Sequence, residues 1–369
     1  MIPVNEPVIG KRERELVLEC LDTGWISSDG PFIAKFEQKF AEYVGRKHAI
    51  AVTNGSAALD AAVESLGIGP GDEVILPTFT IISCVTAILR AGAIPVPVDC
   101  DPDTWNCTPE QISAAITPRT KCIMLVHIYG LTTDVDPILA LAEERGIAVV
   151  EDAAEAHGLT YKGRQCGSFG DVSTFSFYPN KHVTTGEGGM ILTDDDAIAS
   201  KCRSLRNLGF NAKRRFVHEE LGWNLRMTNL QAALGLGQVE RLDQTVARKR
   251  EIGARYQRLL GDDNRIQLPA KTSTGTENVY WVFGIVLGDG IPFEADEMMA
   301  RLSARKIGTR PFFWPIHQQP VLTRRGLFKD VRCPVAERLA RRGFYVPSGL
   351  ALRNEQIEEV AHNVREALG

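Results

Sequence analysis

Lys181 stands in the run Phe175-Ser176-Phe177-Tyr178-Pro179-Asn180-Lys181-His182-Val183-Thr184-Thr185-Gly186-Glu187-Gly188-Gly189. Upstream, the acidic cluster Glu151-Asp152-Ala153-Ala154-Glu155-Ala156-His157 follows the apolar run Gly146 to Val150. A lysine amine can form a Schiff base with an aldehyde, and an aspartate can keep a ring nitrogen protonated. Together they are the minimal apparatus of a pyridoxal phosphate (PLP) site. Asp152 alone reads first as a strand-end helix cap, and the lysine downstream with Glu155 three residues on tips it toward the cofactor. Glu155 is placed to reach the ring hydroxyl or to be a solvated first-turn glutamate. His157 and His182 read as supports of their loops.

An anion site is also visible. In Asn54-Gly55-Ser56-Ala57-Ala58-Leu59 a strand ends, a glycine permits a tight turn and a helix begins. The free amides of that helix start, with the Ser56 hydroxyl, suit a phosphate. Ser176 is a second phosphate candidate. Thr184–Gly189 is a glycine-rich turn that allows sharp backbone near a cofactor. Three further segments combine aromatic and polar residues as ligand loops do: Trp25-Ile26-Ser27-Ser28-Asp29-Gly30, Gly222-Trp223-Asn224-Leu225-Arg226-Met227 and Arg310-Pro311-Phe312-Phe313-Trp314-Pro315-Ile316-His317. By contrast Gly67-Ile68-Gly69-Pro70-Gly71 follows a helix and precedes a strand, the reverse of a dinucleotide fingerprint. It reads as a turn, and there is no Walker motif.

The elements that must position these residues alternate. Candidate strands are His48–Val52, Glu73–Leu76, Ile94–Val98, Cys122–Val126, Ala148–Glu151, Val172–Phe177 and Met190–Leu192. Helical patterns at Ala57–Leu66, Ile82–Arg90, Asp134–Arg145 and Asp195–Leu205 lie between several of them. This order predicts an α/β fold with a mostly parallel sheet, with ligands at the carboxyl ends of strands. Asn54 and Asp152 fall at two such ends. A single long helix is expected over about 227–260, joining a large domain (1–240) to a small C-terminal one (241–369). The tail reads strand Tyr280–Leu287, helix Ala295–Ala304, the aromatic-proline loop, helix Val335–Arg342 and helix Asn354–Leu368.

Composition narrows the partners. Net charge is -4 with no long run of one sign, which argues against nucleic acid or anionic membrane. No apolar stretch reaches spanning length, and Met1–Pro7 lacks the order of a signal peptide. Eight cysteines without paired spacing read as reduced thiols of a cytoplasmic protein, with no disulfide framework and no metal site.

Taken together, these residues resemble the DegT/DnrJ/EryC1/StrS family of sugar aminotransferases, from Trp25 to the segment Tyr345-Val346-Pro347-Ser348. The most specific block is Phe175–Gly189; Val126-His127-Ile128-Tyr129-Gly130 and Arg226-Met227-Thr228-Asn229 add to it. The resemblance implies the fold type I architecture of PLP enzymes: a seven-stranded, mostly parallel sheet in a large domain and a smaller α+β domain. It implies Lys181 as the Schiff-base lysine, Asp152 on the pyridine nitrogen and Glu155 near the ring oxygen. Ser56, Ala57 and Ser176 would hold the phosphate, joined by Asn224 from a second subunit, so the active unit would be a homodimer. Substrate contacts would come from Trp25, Ser27, Ser28, His127, Tyr129, Tyr178, Arg226, Phe313, Trp314 and His317.

The activity implied is amine transfer from L-glutamate to C4 of a nucleotide-linked 4-keto-6-deoxy sugar, with GDP-4-keto-6-deoxymannose as the expected acceptor. Such amino sugars suit cell-surface polysaccharide. UDP- or dTDP-linked acceptors, C3 or cyclitol ketones, and a non-catalytic protein of the same fold are the alternatives. Relatives that dehydrate at C3 lack the lysine, so Lys181 argues against them. One departure concerns the cofactor ring. The family places an aromatic residue over it, whereas Pro77-Thr78-Phe79-Thr80-Ile81 puts Ile81 there, and ring stacking is lost. Phe79 would share a face with Ile81 if the backbone is extended. Tyr178-Pro179, where relatives vary, is a candidate mark of a substrate subgroup.

Overall fold

The computed structural model describes residues 1–210, 214 and 216–369. The central sheet is built from β1 (His48–Val52), β2 (Glu73–Pro77), β3 (Ile94–Val98), β4 (Thr120–Val126), β5 (Ala148–Asp152), β6 (Val172–Ser176) and β7 (Gly189–Thr193). Its seven strands lie in the order β1-β7-β6-β5-β4-β2-β3. β2 to β6 pair in parallel, while β7 is antiparallel to both β6 and β1. The α/β class and the mostly parallel sheet are therefore as the chain pattern implies.

Period-2 alternation divides the strands between two cores, as a sheet covered on both faces requires. Ile123, Leu125 and Val149 join Phe32, Phe36, Phe40, Phe175 and Phe177 on one face. Cys122, Met124 and Val150 join Ala58, Leu59, Val63, Val85 and Ile88 on the other. The first face is covered by α1 (Lys11–Thr23) and α2 (Pro31–Val44), the second by α3 (Gly55–Ser65) and α4 (Ile82–Arg90).

The expected long helix is two helices, Asn229–Val239 and Leu242–Leu260. Arg241 leaves helical angles at φ -120 and ψ 17. Its guanidinium turns inward to the buried Glu13 carboxylate at 2.8 Å and also reaches the Val8 carbonyl. Glu13 is 1% exposed, so a buried carboxylate without this partner would be costly. The ion pair thus decides where the helix breaks. The second helix packs Ile252, Tyr256 and Leu260 into a third core with Phe283, Ile285, Met298, Val360 and Val364.

That third core belongs to a four-stranded sheet of β8 (Ile266–Gln267), β9 (Phe283–Leu287), β10 (Arg310–Pro311) and β11 (Gly343–Val346). The expected strand from Tyr280 begins only at Phe283, because Tyr280 takes a left-handed conformation (φ 48) that ends extended pairing. Helices Ala295–Ala304 and Asn354–Leu368 cover the sheet with the expected bounds. All eight cysteines are buried and unbridged. Among the described residues, no helix is long and apolar enough to cross a membrane.

Candidate active site

A cavity of about 480 Å³ opens at the carboxyl ends of β4, β5 and β6, and Val126, Asp152 and Ser176 line it. Lys181 enters from the turn after β6, where its backbone N–H donates to the Tyr178 carbonyl at 2.9 Å. Its amine lies 3.6 Å from Glu155 Oε1 and 3.7 Å from the centroid of the Trp281 ring. Burial pulls the amine below the usual lysine range, and the carboxylates of Glu155 and Asp152 only partly oppose this. The effect on Glu155 is opposite: burial pushes its carboxyl up to about 7, against the Lys181 charge and the Tyr129 N–H. The two shifts run toward each other, so burial favours the neutral amine more than it would for an exposed lysine.

Asp152 closes β5. Oδ1 accepts from Ala154 N at 3.0 Å, and Oδ2 accepts from the Cys84 thiol at 3.3 Å. Burial raises its carboxyl, while these donors and Lys181 work against the rise. Cys84 is fully buried beside this carboxylate, which pushes its thiol well up, so it stays S–H and keeps donating.

The anion cradle is the start of α3. Asn54 caps it by accepting from Ala57 N at 2.8 Å. The Gly55 and Ser56 amides have no carbonyl one turn behind them, which is the general state of a helix start. Ser56 Oγ lies 2.6 Å from Ser83 Oγ, at the start of α4, so two helix N-termini converge on the cavity. Glycine is needed at position 55, because a Cβ there would sit 2.7 Å from Ser176 Cβ. At Gly189 a Cβ would sit 2.5 Å from the Asn54 carbonyl oxygen. Thr174 Oγ1 and Asn180 Oδ1 belong to cavity-lining residues, are buried, and have no hydrogen-bond partner among the described residues. An amine, a carboxylate and an anion cradle thus face one cavity.

The sequence-derived residues divide accordingly. Lys181, Asp152, Glu155, Ser56, Ser176, Ile81, Tyr178 and Phe313 line the cavity. Ala57 does not, and its amide is taken by Asn54. Phe79 turns away, fully buried against Tyr129, Phe312 and Phe313, because the chain bends after Pro77 instead of staying extended. Ile81 alone of the pair faces the cavity.

His127, Tyr129 and His317 are buried and do not line the cavity. His127 Nε2 meets Glu151 Oε1 at 2.7 Å, a carboxylate that also accepts from Gly167 N and Phe169 N. With Cys166 these two bring ligand atoms within 4.8 Å of one another, but Glu151 is already spent on these partners. Tyr129 accepts from Phe313 N at 3.1 Å and donates its own N–H to Glu155. His317 bridges Thr78 and Glu337. Their role in this chain is to hold lining residues and loops.

Trp25, Ser27, Ser28, Asn224, Arg226 and Trp314 do not line the cavity of their own chain. Four of them are stitched into one surface patch. Asn229 donates to the Trp25 carbonyl at 2.7 Å and accepts its partner from Phe32 N, its own N–H meets the Ser27 carbonyl, and Arg226 reaches Ser28 Oγ at 3.2 Å. Sequence reasoning missed Trp281, Tyr345, Ser83 and Cys84. Trp281 lay inside a stretch that reads as plain strand, and the others come from elements whose alignment on the cavity is set by packing.

The sequence pattern of the DegT/DnrJ/EryC1/StrS aminotransferase family matches residues 7–365. A relative from Caulobacter vibrioides named GDP-perosamine synthase is 46% identical over 360 residues, spanning 97% of this chain and 96% of that protein. Among solved structures, the aminotransferase TlmJ from Streptoalloteichus hindustanus is 32% identical with a TM-score of 0.92, covering 100% of this chain and 99% of that one. A sugar aminotransferase, Spr1654 from Streptococcus pneumoniae, described as putative and solved in its PLP form, is 25% identical with a TM-score of 0.92, covering 100% of this chain and 98% of that one.

Proposed function

This chain belongs to the DegT/DnrJ/EryC1/StrS aminotransferase family, and on that premise we propose that it moves the amino group of L-glutamate to C4 of GDP-4-keto-6-deoxymannose with PLP as cofactor. The observation that carries the reading is the Lys181 amine, buried in the cavity opposite Glu155 and beside Asp152. The choice of acceptor rests on the relative named GDP-perosamine synthase.

The residues present fit PLP. Lys181 would hold it covalently, and Asp152 would pair with the ring nitrogen, with Glu155 beside the ring oxygen. Ser56, Ser176 and the open amides of α3 would take the phosphate. Ile81 supplies apolar contact where an aromatic ring is absent. The paired Ser56 and Ser83 hydroxyls at two helix starts give the cavity a polar end suited to an anion.

Bound there, PLP supplies an aldehyde that captures amines and a ring that takes up the electron pair left by a departing C–H proton. The chain supplies the proton traffic. Lys181, whose burial favours the neutral amine, takes the proton from the α carbon of glutamate and returns one at the acceptor carbon. With PLP bound, Asp152 would keep the ring nitrogen protonated, its carboxylate oriented by the Cys84 and Ala154 donors. Trp281, Phe313 and Tyr345 supply an aromatic wall of the cavity. Overall, glutamate and keto sugar become 2-oxoglutarate and amino sugar. The exposed patch of Trp25–Ser28 and Arg226, with Asn224, is assigned to a second copy's site, Asn224 of the partner subunit completing the phosphate contacts of a homodimer.

The test incubates purified protein with PLP, L-glutamate and GDP-4-keto-6-deoxymannose, following 2-oxoglutarate and sugar mass. Equal amounts of 2-oxoglutarate and aminated sugar are expected. If glutamate reacts but this sugar does not, the acceptor is wrong and UDP- or dTDP-linked 4-keto sugars replace it. If PLP-loaded, folded protein runs neither half, the aminotransferase reading falls.

A further inference from the structure

A lysine that lets go of its cofactor in each half-reaction needs a resting place from which it can return. The Lys181 amine has two near neighbours in the structure: Glu155 Oε1 at 3.6 Å and the ring of Trp281 at 3.7 Å. Trp281 is 4% exposed and is held at both ends. Its indole N–H donates to the carbonyl of Asn180, the residue before the lysine, at 2.9 Å. Its own carbonyl accepts from Lys249 Nζ at 2.9 Å, and the same ammonium reaches the Ser348 carbonyl at 2.6 Å.

Lys249 comes from the second half of the broken helix and is fully buried, which pulls its ammonium down to about 7. The backbone around the tryptophan is equally constrained. Tyr280 is left-handed at φ 48, and its N–H is taken by Asn278 Oδ1 at 2.6 Å. A Cβ on Gly130 would lie 2.7 Å from Trp281 N. A left-handed tyrosine and a buried lysine are both costly. They persist here because together they fix one indole ring against one amine.

We propose that Trp281 is a positioning residue for Lys181: its ring is the platform on which the released amine rests, and Lys249 locks that platform in place. This rests on the reading of Lys181 as the cofactor lysine. An indole face attracts an ammonium but, being uncharged, does not bind it as a second carboxylate would. The amine stays within reach of the reacting centre and can shed its proton. The other groups facing it are Asp152 at the end of β5, Glu155 after it, Cys84 from α4, and His157 and His182, while Tyr345 faces Glu155 from β11.

The test reads the titration of Lys181 in the full chain without PLP. Acetic anhydride labels amines only in their neutral form, and peptide mass spectrometry reports each lysine separately, with exposed Lys121 as internal control. In Trp281→Leu the midpoint for Lys181 should fall by about one pH unit, the scale of a buried cation–π contact. Trp281→Phe, which keeps a π face, should restore most of that fall, and Lys249→Met should reproduce part of it without touching the cavity lining. An unmoved midpoint in folded Trp281→Leu, or a rise, which would make the ring only a water shield, overturns the proposal. PLP capture by the wild-type protein is measured alongside. Its failure would sink the cofactor reading while leaving the midpoint comparison to judge the platform.

Discussion

Replacing His182 with asparagine should flatten the acid side of this protein's stability profile. His182 is 3% exposed. Its Nδ1 donates to the His157 carbonyl at 3.1 Å, and its Nε2 has no partner among the described residues. Burial, with the charges of Lys249, Lys181 and Arg250 nearby, lowers its pKa to about 3 from an ordinary 6.5. Between those values the unfolded chain holds the proton and the folded chain does not. The stability is thus complete above the unfolded value and is lost as pH falls toward the folded one. For this group alone, going from about pH 7 to about pH 5.5 removes roughly 1.3 kcal/mol. An asparagine amide can still donate to the His157 carbonyl and carries no titrating group. Urea denaturation of PLP-free protein at several pH values provides the assay. The variant starts lower because asparagine fills less of the buried site, but it should lose about 1.3 kcal/mol less than wild type over that range. Parallel profiles would refute the claim that His182 is held neutral. His157 is shifted in the same direction by burial, with smaller contributions from His182 and Lys181, so a residual slope in the variant is expected.

Lys181→Ala should abolish turnover and the near-visible absorbance of lysine-bound PLP; turnover surviving in that variant would remove the lysine from the chemistry. Asn224→Ala should weaken PLP retention, read by equilibrium dialysis of the dimer, and an unchanged PLP affinity would count against a contact reaching across subunits. Arg241→Met strands the buried Glu13 carboxylate and should cost about 3 kcal/mol of stability by urea denaturation; a loss under about 1 kcal/mol would mean that Gln238 and the Gly10 N–H suffice to hold Glu13.

Much of this protein was determined by local sequence. The short apolar runs that became β1 to β7, bounded by turn residues and alternating with helical patterns, read as strands of a covered sheet. Asn54-Gly55-Ser56 had to be a strand end opening a helix, because the cap and the glycine serve no other purpose so economically. Lys181 and Asp152 stood out because their neighbours repeat a motif along the chain, and motifs are local. What tertiary structure decided was everything that depends on which side chains meet. The expected single helix over about 227–260 broke at Arg241 because a carboxylate far back in the sequence, Glu13, needed a partner. His127 and Tyr129 sit in a segment rich in polar and aromatic residues, yet they face the core and hold Glu151, Glu155 and Phe313, as no periodicity could reveal. Trp281 and Lys249 touch nothing remarkable in their own segments. Only the packing of the second half of the broken helix against the chain that enters β9 brings an indole over Lys181. Sequence selects elements through short-range sterics and hydrogen bonding, whereas the environment of a buried charge is set by residues distant in the chain, and it is that environment which sets how an amine titrates.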